Sequence, residues 1–201
     1  MAKLYFSYSA MNAGKSTLLL QASHNYRERG MRTLLLTAAV DDRSGEGVIA
    51  SRIGMSRRAE TFSEGDDLRA RVEERRRVAP IACVFVDEAQ FLSPEQVWQL
   101  ASVVDELDVP VMCYGLRTDF AGKLFPGSAE LLAVADQLRE IRTICWCGSK
   151  ATMVARLDAA GAVARAGEQV VIGGDDTYVS LCRRHWLAGD LGPQATLGSA
   201  H

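Results

Sequence analysis

Short apolar runs alternate with helix-forming segments along the first two thirds of the chain. Continuous apolar stretches of four to eight residues are typical of buried parallel strands, and they occur at residues 3–8, 33–37, 81–86 and 110–114. One predicted helix follows Gly14, and the others cover 67–77, 94–107 and 128–138. This alternation predicts an α/β fold in which helices flank a mainly parallel sheet.

Two regions depart from the alternation. Residues 41–66 contain four glycines among polar neighbours and no sustained period, so we predict a mobile loop of the kind that acts as a lid. From about residue 142 the chain changes to cysteines, glycines and β-rich runs. We therefore predict an α/β domain at 1–141, a small second domain at 142–188 and a flexible tail at 189–201.

Charge and composition exclude several classes of protein. The 201 residues are 48% hydrophobic and 24% charged, as in an ordinary globular protein. With 23 basic and 25 acidic residues the net charge is −2, which disfavours nucleic-acid binding through a basic surface. No apolar run approaches the roughly 18 residues of a membrane span, and the first residues lack a signal peptide. We therefore expect a cytoplasmic protein.

The segment from Ser9 to Thr17 carries a phosphate-binding pattern. It matches G-x-x-x-x-G-K-[ST] except at the first position, where Ser9 replaces a glycine and would make a positive φ costlier. In such a P-loop, main-chain amides and the positive end of the next helix receive phosphate oxygens. Lys15 would neutralise the β- and γ-phosphates, and Ser16 would bind Mg²⁺. The alternative is a chance Gly-Lys-Ser sequence that only caps a helix.

Two adjacent acids, Asp87 and Glu88, end the apolar strand at 81–86. An acid at this place in P-loop proteins, the Walker B acid, lies beside the phosphate loop. Successive strand residues point to opposite sides, so Asp87 can reach the Mg²⁺ shell while Glu88 faces a second substrate as a general base. The alternative is a pair of exposed acids without a chemical role.

Four candidate metal ligands occur as two close pairs, Cys145 with Cys147 and Cys182 with His185. The chain has five cysteines, and an odd number without export signals disfavours a disulfide framework. Three thiolates and one imidazole make a tetrahedral zinc set, which would be structural because the protein fills all four positions. The alternative is two buried cysteines and an unrelated histidine.

Other conspicuous residues receive plainer interpretations. Cys83 and Cys113 lie within apolar strands and are predicted to be core thiols. Trp98 has helical spacing to apolar neighbours and is predicted to be in the core. We expect His24 at the surface or in packing, and the basic cluster at 75–77 on a solvated helix face because acids precede it.

Together these motifs resemble the cytosolic-type (type II) thymidine kinases. The resemblance rests on 11–17, 87–91, 115–120, the four candidate zinc ligands and 171–178, in the family's order and over nearly the whole chain. It implies a P-loop core followed by a small zinc-binding lasso domain. It also implies transfer of the ATP γ-phosphoryl group to the 5′-hydroxyl of thymidine, and of deoxyuridine, in nucleotide salvage for DNA synthesis. The family is typically a homotetramer inhibited by thymidine triphosphate.

The resemblance also assigns roles to residues. Glu88 falls on the catalytic base, Ser16 and Asp87 on the Mg²⁺ ligands, and the zinc ligands on the positions given above. The implied nucleotide-binding residues are Ser9, Ala10, Met11, Asn12, Ala13, Gly14, Lys15, Ser16, Asp87, Glu88, Ala89 and Gln90. The implied nucleoside-binding residues are Met11, Phe91, Leu116, Phe120, Gln169, Val170, Val171, Ile172, Gly173 and Tyr178. The lasso would read the base largely through main-chain groups.

Read without the family, the residues leave three functions open. They are a nucleoside kinase that uses Mg-ATP, a zinc-ribbon ATPase that binds nucleic acid, and a noncatalytic nucleotide sensor. The acidic net charge counts against the ATPase, and the placement of Glu88 counts against the sensor. The expected partners are ATP and thymidine, with neither nucleic acid nor membrane.

Overall fold

The computed structural model describes residues 1–41, 45–158, 160–167, 169 and 178–193. Its strands are β1 Leu4–Ser9, β2 Thr33–Ala38, β3 Val48–Ala50, β4 Ser56–Arg58, β5 Glu60–Phe62, β6 Cys83–Val86, β7 Val111–Leu116, β8 Gln137–Glu140, β9 Thr143–Ile144, β10 Lys150–Ala151, β11 Met153–Arg156 and β12 Tyr178–Leu181. Its α-helices are α1 Lys15–Glu28, α2 Leu68–Val78, α3 Pro94–Leu107, α4 Pro126–Val134 and α5 Arg183–Ala188, and a 3-10 turn covers Ala89–Phe91.

Six parallel strands form the central sheet, in the order β5-β2-β6-β7-β1-β8. Parallel neighbours need crossover connections, and the helices α1 to α4 supply all of them except the one from β2 to β5, which contains the β3 and β4 strands. The predicted α/β fold with a mainly parallel sheet flanked by helices is confirmed. Because the strands run in one direction, the carboxyl ends of β1, β2, β6 and β7 meet at one edge, where open α/β sheets bind ligands.

The two faces of the sheet build separate apolar layers. Phe6 and Val86 pack on one face with side chains of α2, α3 and α4. Phe85 packs on the other face with side chains of α1. Cys83 and Cys113 are fully buried in these layers, which confirms the prediction that they are core thiols.

Helix α3 has the boundaries that the sequence predicts. The Ser93 hydroxyl accepts the Gln96 N–H at 3.2 Å, the Gln96 side chain accepts the Ser93 N–H at 3.1 Å, and Pro94 occupies the first helical position. The prediction that Trp98 is in the core is wrong. Each residue turns the helix by about 100°, so Trp98 leaves the buried face of its neighbour Val97 and is 57% exposed.

The chain between 45 and 66 is not the loop that the sequence predicts. Strands β3 and β4 form an antiparallel hairpin, and β5 joins the sheet beside β2. Backbone hydrogen bonds from Ala39 N to Phe62 O and from Ala59 N to Gly47 O, both of 2.8 Å, hold these short strands in place. Residues 42–44 of the predicted loop lie outside the described residues.

The predicted helix at 128–138 is wrong at both ends. Helix α4 begins with Pro126 and ends at Val134, and the chain then forms β8 at the sheet edge beside β1. Asp136 accepts the Leu4 N–H at 2.7 Å just before this pairing starts. The edge strand is largely exposed and polar, so its sequence carries no apolar alternation.

Beyond the sheet, two antiparallel strand pairs and a short helix build another apolar cluster. The pairs are β9 with β10 and β11 with β12, and α5 packs against β11. Cys145, Ala151, Ala155 and Leu181 are buried in this cluster. No described helix is both long enough and apolar enough to cross a membrane.

The predictions for two charged surface sites agree with the structure. His24 lies on the outside of α1, with its Nε2 atom 3.2 Å from Glu28 Oε1. Arg75 pairs with Glu60 at 2.7 Å, and Arg77 is exposed, so the basic cluster of α2 lies on a solvated face.

Candidate active site

The predicted phosphate-binding segment connects the end of β1 to the start of α1. Gly14, just before α1, has φ 80° and ψ 24°, a left-handed conformation that glycine adopts without steric cost. The first N–H groups of a helix lack partners within the helix, which makes the start of α1 suited to an anion. Ser9 is the last residue of β1 and is extended, so the expected cost of a positive φ at Ser9 does not arise.

Lys15 is buried against this loop. Its Nζ donates to Ser9 Oγ at 3.3 Å and to the Ala10 carbonyl at 3.4 Å. Ser9 Oγ in turn donates to the Ala10 carbonyl at 2.7 Å. The serine that replaces the motif's first glycine therefore helps to orient the lysine, which a glycine could not do.

Ser16 and Asp87, the two predicted Mg²⁺ ligands, are in direct contact. Ser16 Oγ donates to Asp87 Oδ2 at 2.8 Å, which joins α1 to the end of β6. Burial, and then the charge of Glu88, raise the pKa of Asp87 to about 7. A hydroxyl and a carboxylate are the hard oxygen ligands that Mg²⁺ prefers, and a cation there would stabilise the charged carboxylate. The donor set therefore fits Mg²⁺.

Glu88 has a strained backbone. Its φ of 51° and ψ of 39° are left-handed, which costs a residue other than glycine about 1–3 kcal/mol. The Glu88 N–H donates to Asp87 Oδ1 at 3.1 Å, and the Glu88 carbonyl accepts the Phe91 N–H at 3.0 Å. Such strain clusters at functional sites, and Glu88 is also buried.

A cavity of about 400 Å³ lies at the carboxyl ends of the central strands, which is within the size range of small-molecule sites. The predicted site residues that line it are Met11, Asn12, Ala13, Gly14, Lys15, Ser16, Asp87, Glu88, Gln90, Phe91, Leu116, Phe120, Gln169 and Tyr178. Ser9, Ala10 and Ala89 are buried but do not line it. The predicted residues Val170, Val171, Ile172 and Gly173 lie outside the described residues.

Aromatic rings form part of the cavity wall. Phe91 and Phe125 pack edge to face, with ring centroids 6.0 Å apart. The Phe120 ring carries the guanidinium of the buried Arg156, 3.8 Å from its centroid. Gly167 allows this arrangement, because a Cβ there would lie 2.3 Å from Arg156 Nη2. Flat apolar rings suit a planar ligand such as a nucleobase.

The part of the chain after the sheet reaches the cavity through hydrogen bonds. Ser180 Oγ donates to the Met11 carbonyl at 2.6 Å, so β12 is attached to the phosphate loop. Gln169 Nε2 donates to Asp119 Oδ2 at 2.9 Å, and this buried aspartate also accepts two N–H groups of its own loop. These contacts connect β12 and Gln169 to the loops that follow β1 and β7.

The four predicted metal ligands come together. The ligand atoms of Cys145, Cys147, Cys182 and His185 all lie within 4.8 Å of one another. In a tetrahedral zinc site, bonds of 2.3 Å place sulfur atoms roughly 3.8 Å apart, so the cluster fits zinc. A tight turn, closed by Gly148 N and Cys145 O at 2.9 Å, brings both cysteines of the short C-x-C pair to the cluster.

Local hydrogen bonds favour the thiolate form of Cys147, the exposed cysteine of the cluster. Ser149 bonds to Cys147 and lowers the pKa of this thiol to about 6, which favours the thiolate that binds metal. Burial acts in the opposite direction on Cys145 and raises its pKa.

One side chain joins the cysteine cluster to the cavity. Trp186 follows His185 in α5, and its Nε1 lies 3.1 Å from the carbonyls of both Phe120 and Val154. Phe120 lines the cavity, so a displacement of α5 would also displace this part of the cavity wall.

Sequence reasoning missed several contributors to the site. Arg156 and Trp186 lie far along the chain from the ring that they support, and nothing local marks them. Residues 48–52 of the hairpin also line the cavity, inside the segment that the sequence predicts to be a mobile loop. The glycines Gly47 and Gly54, both with positive φ, are the local signal that could have indicated a hairpin there.

The family is decided by comparison with known proteins. The family model described as thymidine kinase matches residues 2–186. The chain belongs to the thymidine kinase family. The thymidine kinase of Ruegeria pomeroyi is 68% identical over 194 residues, which are 96% of this chain and 98% of that protein. The thymidine kinase of Agrobacterium fabrum is 67% identical, with 93% of this chain and 97% of that protein covered. That of Yersinia pseudotuberculosis is 59% identical, covering 92% and 95%.

The family match confirms the resemblance seen in the sequence. It includes the phosphate loop, the strained Glu88 and the whole cysteine–histidine cluster in one span.

Proposed function

We propose that this chain transfers the γ-phosphoryl group of ATP to the 5′-hydroxyl of thymidine, and of deoxyuridine, in nucleotide salvage. The products are the nucleoside monophosphate and ADP. The observation that carries the proposal is a single cavity lined by both the phosphate-loop Lys15 and the buried, strained Glu88. Membership of the thymidine kinase family supports the choice of acceptor.

The phosphate loop, with Lys15, Ser16 and Asp87, forms the ATP side of the proposed site. Main-chain amides at the start of α1 and the Lys15 ammonium would bind phosphate oxygens and stabilise the charge on the transferred group. Ser16 and Asp87, already 2.8 Å apart, would hold Mg²⁺. When bound, Mg²⁺ supplies positive charge to the β- and γ-phosphates.

Glu88 is the proposed general base. The 5′-oxygen forms a bond to the γ-phosphorus while the bond from that phosphorus to the β-phosphate oxygen breaks, and ADP leaves. The hydroxyl proton passes to the Glu88 carboxylate. Phosphoryl transfer needs little more covalent chemistry from the protein, so positioning and charge account for most of the rate.

The aromatic part of the wall is the proposed nucleoside side. Met11, Leu116 and Tyr178 line the cavity together with Phe91 and Phe120, and they would pack against the sugar and base. The predicted main-chain readout of the base falls on 170–173, outside the described residues.

The cysteine–histidine cluster is the proposed structural zinc site. Its four protein ligands leave no open position for substrate. Zinc there would fix α5, and through Trp186 the loop that carries Phe120.

The proposal also covers the domain boundaries, the oligomeric state, the location in the cell and the inhibitor. We assign ATP binding to 1–141, a zinc-binding lasso domain to 142–188 and a tail to 189–201. The end of β8 at Glu140, just before the cluster begins, supports this division. The family resemblance further leads us to propose a cytoplasmic homotetramer inhibited by thymidine triphosphate.

The deciding experiment measures ADP release and nucleoside monophosphate formation with Mg-ATP. The acceptors are thymidine, deoxyuridine, deoxycytidine, deoxyguanosine and deoxyadenosine. We expect turnover with thymidine and deoxyuridine only. Intact ATP binding without transfer to any nucleoside would overturn the proposal in favour of a sensor. ATP hydrolysis stimulated by DNA or RNA would favour the ATPase.

Lys15→Met is expected to lower kcat/KM for ATP by about 10²–10³-fold, as the loss of one preorganised donor to a developing oxyanion does. Methionine keeps the length of the side chain but removes the charge that faces the phosphates. The control is Lys3→Met, since Lys3 is exposed and does not line the cavity. Steady-state kinetics measure both variants, and a value within threefold of wild type for Lys15→Met would contradict the assigned role.

A further inference from the structure

Gln90 is buried and uses both ends of its side-chain amide. Its Nε2 donates to Glu88 Oε2 at 2.5 Å, and its Oε1 accepts the Leu116 N–H at 2.9 Å. The side chain is only 1% exposed. One amide group therefore connects the carboxylate at the end of β6 to the backbone at the end of β7.

The backbone around Gln90 is shaped to receive this amide. At Gly115 a Cβ would lie 2.9 Å from Gln90 Oε1 and 2.9 Å from Gln90 N. At Gly127 a Cβ would lie 2.5 Å from the Leu92 carbonyl and 2.8 Å from the Ala89 carbonyl. Both positions therefore exclude larger residues while the 3-10 turn stays where it is.

Leu116 is itself fixed on its other side. Ser128 Oγ, near the start of α4, donates to the Leu116 carbonyl at 2.5 Å. The amide of Gln90 thus connects Glu88 to a backbone segment that is anchored independently, so the protein itself holds one oxygen of the carboxylate.

We propose that Gln90 is the positioning residue for Glu88, an inference that rests on the proposed function. The family resemblance places Gln90 among the nucleotide-binding residues. Both ends of its amide are bonded within the protein, and one bond goes to the proposed base itself. Gln90 therefore acts on the orientation of the Glu88 carboxylate rather than on nucleotide affinity. A misplacement of about 1 Å can reduce a rate by 10²-fold, so this hydrogen bond affects kcat.

The test compares Gln90→Met with Gln96→Met in the thymidine assay. Methionine keeps the approximate volume of glutamine but neither donates nor accepts as an amide does. We expect Gln90→Met to lower kcat by about 10–100-fold, with the KM and Kd for ATP changed less than threefold. A kcat within threefold of wild type, or an ATP affinity that falls as far as kcat, would overturn the proposal.

Gln96 is the matched control because it is an equally buried glutamine with a purely structural network. It is 1% exposed and donates to the carbonyls of Ser63 and Asp66 at 2.7 and 3.1 Å, and it does not line the cavity. We expect Gln96→Met to lower the Tm at least as much as Gln90→Met while kcat stays within twofold of wild type. A comparable loss of kcat in Gln96→Met would show a general structural effect and overturn the proposal.

A double-mutant cycle separates action through Glu88 from any other effect. If Gln90 acts through the carboxylate, Gln90→Met has little further effect in a Glu88→Gln background. If the two losses multiply, the proposal is wrong.

Gln90→Glu replaces Gln90→Met in these assays if Gln90→Met does not fold. It keeps the acceptor for the Leu116 N–H but sets a second carboxylate against Glu88, and the same loss of kcat is expected. Wild type without thymidine-dependent turnover would overturn the proposed function and this inference together, whereas an active wild type with an equally active Gln90→Met would overturn this inference alone.

Discussion

Glu88→Gln is expected to lower kcat for thymidine phosphorylation by about 10²–10⁴-fold, the usual contribution of a positioned general base. Glutamine has nearly the shape of glutamate, but its amide cannot take the proton of the 5′-hydroxyl. The phosphate loop is untouched, and Lys15, Ser16 and Asp87 keep their contacts. The affinity for ATP should therefore change less than threefold, as measured by calorimetry beside the kinetics.

The control for this substitution is Glu74→Gln on the exposed side of α2, which should leave kcat at the wild-type value. Near-normal kcat in Glu88→Gln would show that another group accepts the proton. A parallel loss of ATP affinity would instead place Glu88 in nucleotide binding.

Cys182→Ser is expected to abolish zinc binding at the proposed site, lower the Tm and raise the KM for thymidine. Metal binding by a site of this kind is worth about 10–16 kcal/mol in small zinc peptides, so weakening it releases a strong constraint. Cys182 precedes α5, and Trp186 in α5 bonds to the carbonyl of Phe120. We expect the KM for thymidine to rise by up to about tenfold, because a hydrogen bond contributes about 0.5–1.5 kcal/mol and about 1.4 kcal/mol corresponds to tenfold in affinity. The KM for ATP should change far less, because the phosphate loop lies on other elements.

Metal analysis and thermal unfolding test the second prediction without relying on activity. Each kcal/mol of lost stability lowers the Tm of a chain of this size by about 2–4 °C, so the loss of even part of the metal's binding energy gives a measurable fall in the Tm. The matched control is Cys113→Ala, which removes a buried thiol of β7 far from the cluster in sequence and should lower the Tm with the metal content unchanged. An unchanged zinc content in Cys182→Ser would contradict the ligand assignment.

Local features of the sequence were sufficient for the phosphate loop and for helix α3. The left-handed Gly14 and the following Lys15 lie within one loop-to-helix junction, so their geometry follows from neighbouring residues. The capping box at Ser93 and Gln96 is equally local and marks the start of α3 without ambiguity. Residue types also predicted the cysteine–histidine cluster, because few other side chains could make a tetrahedral soft-metal site.

Edge strands and helix faces were less predictable. β5 and β8 are short, and β8 is polar, because an edge strand is stabilised by backbone hydrogen bonds to β2 or β1 rather than by a buried face. Trp98 was predicted to be in the core because spacing alone does not say which side of α3 faces the sheet. The structure leaves it at the surface, where its Nε1 donates to Glu130 at 2.6 Å.

The chemical groups of this protein, and the local backbone structure that carries several of them, can be predicted from the sequence alone. A P-loop, an acid pair after a buried strand and four candidate metal ligands can each be recognised from residue types and their spacing in the sequence. The contacts among these groups depend on the packing of the whole fold. The amide of Gln90 on the Leu116 N–H, Arg156 on the Phe120 ring and Trp186 on the Phe120 carbonyl come about through packing of distant segments. Their positions depend on the registers of strands and the glycines that permit close approach, and no short stretch of sequence encodes them.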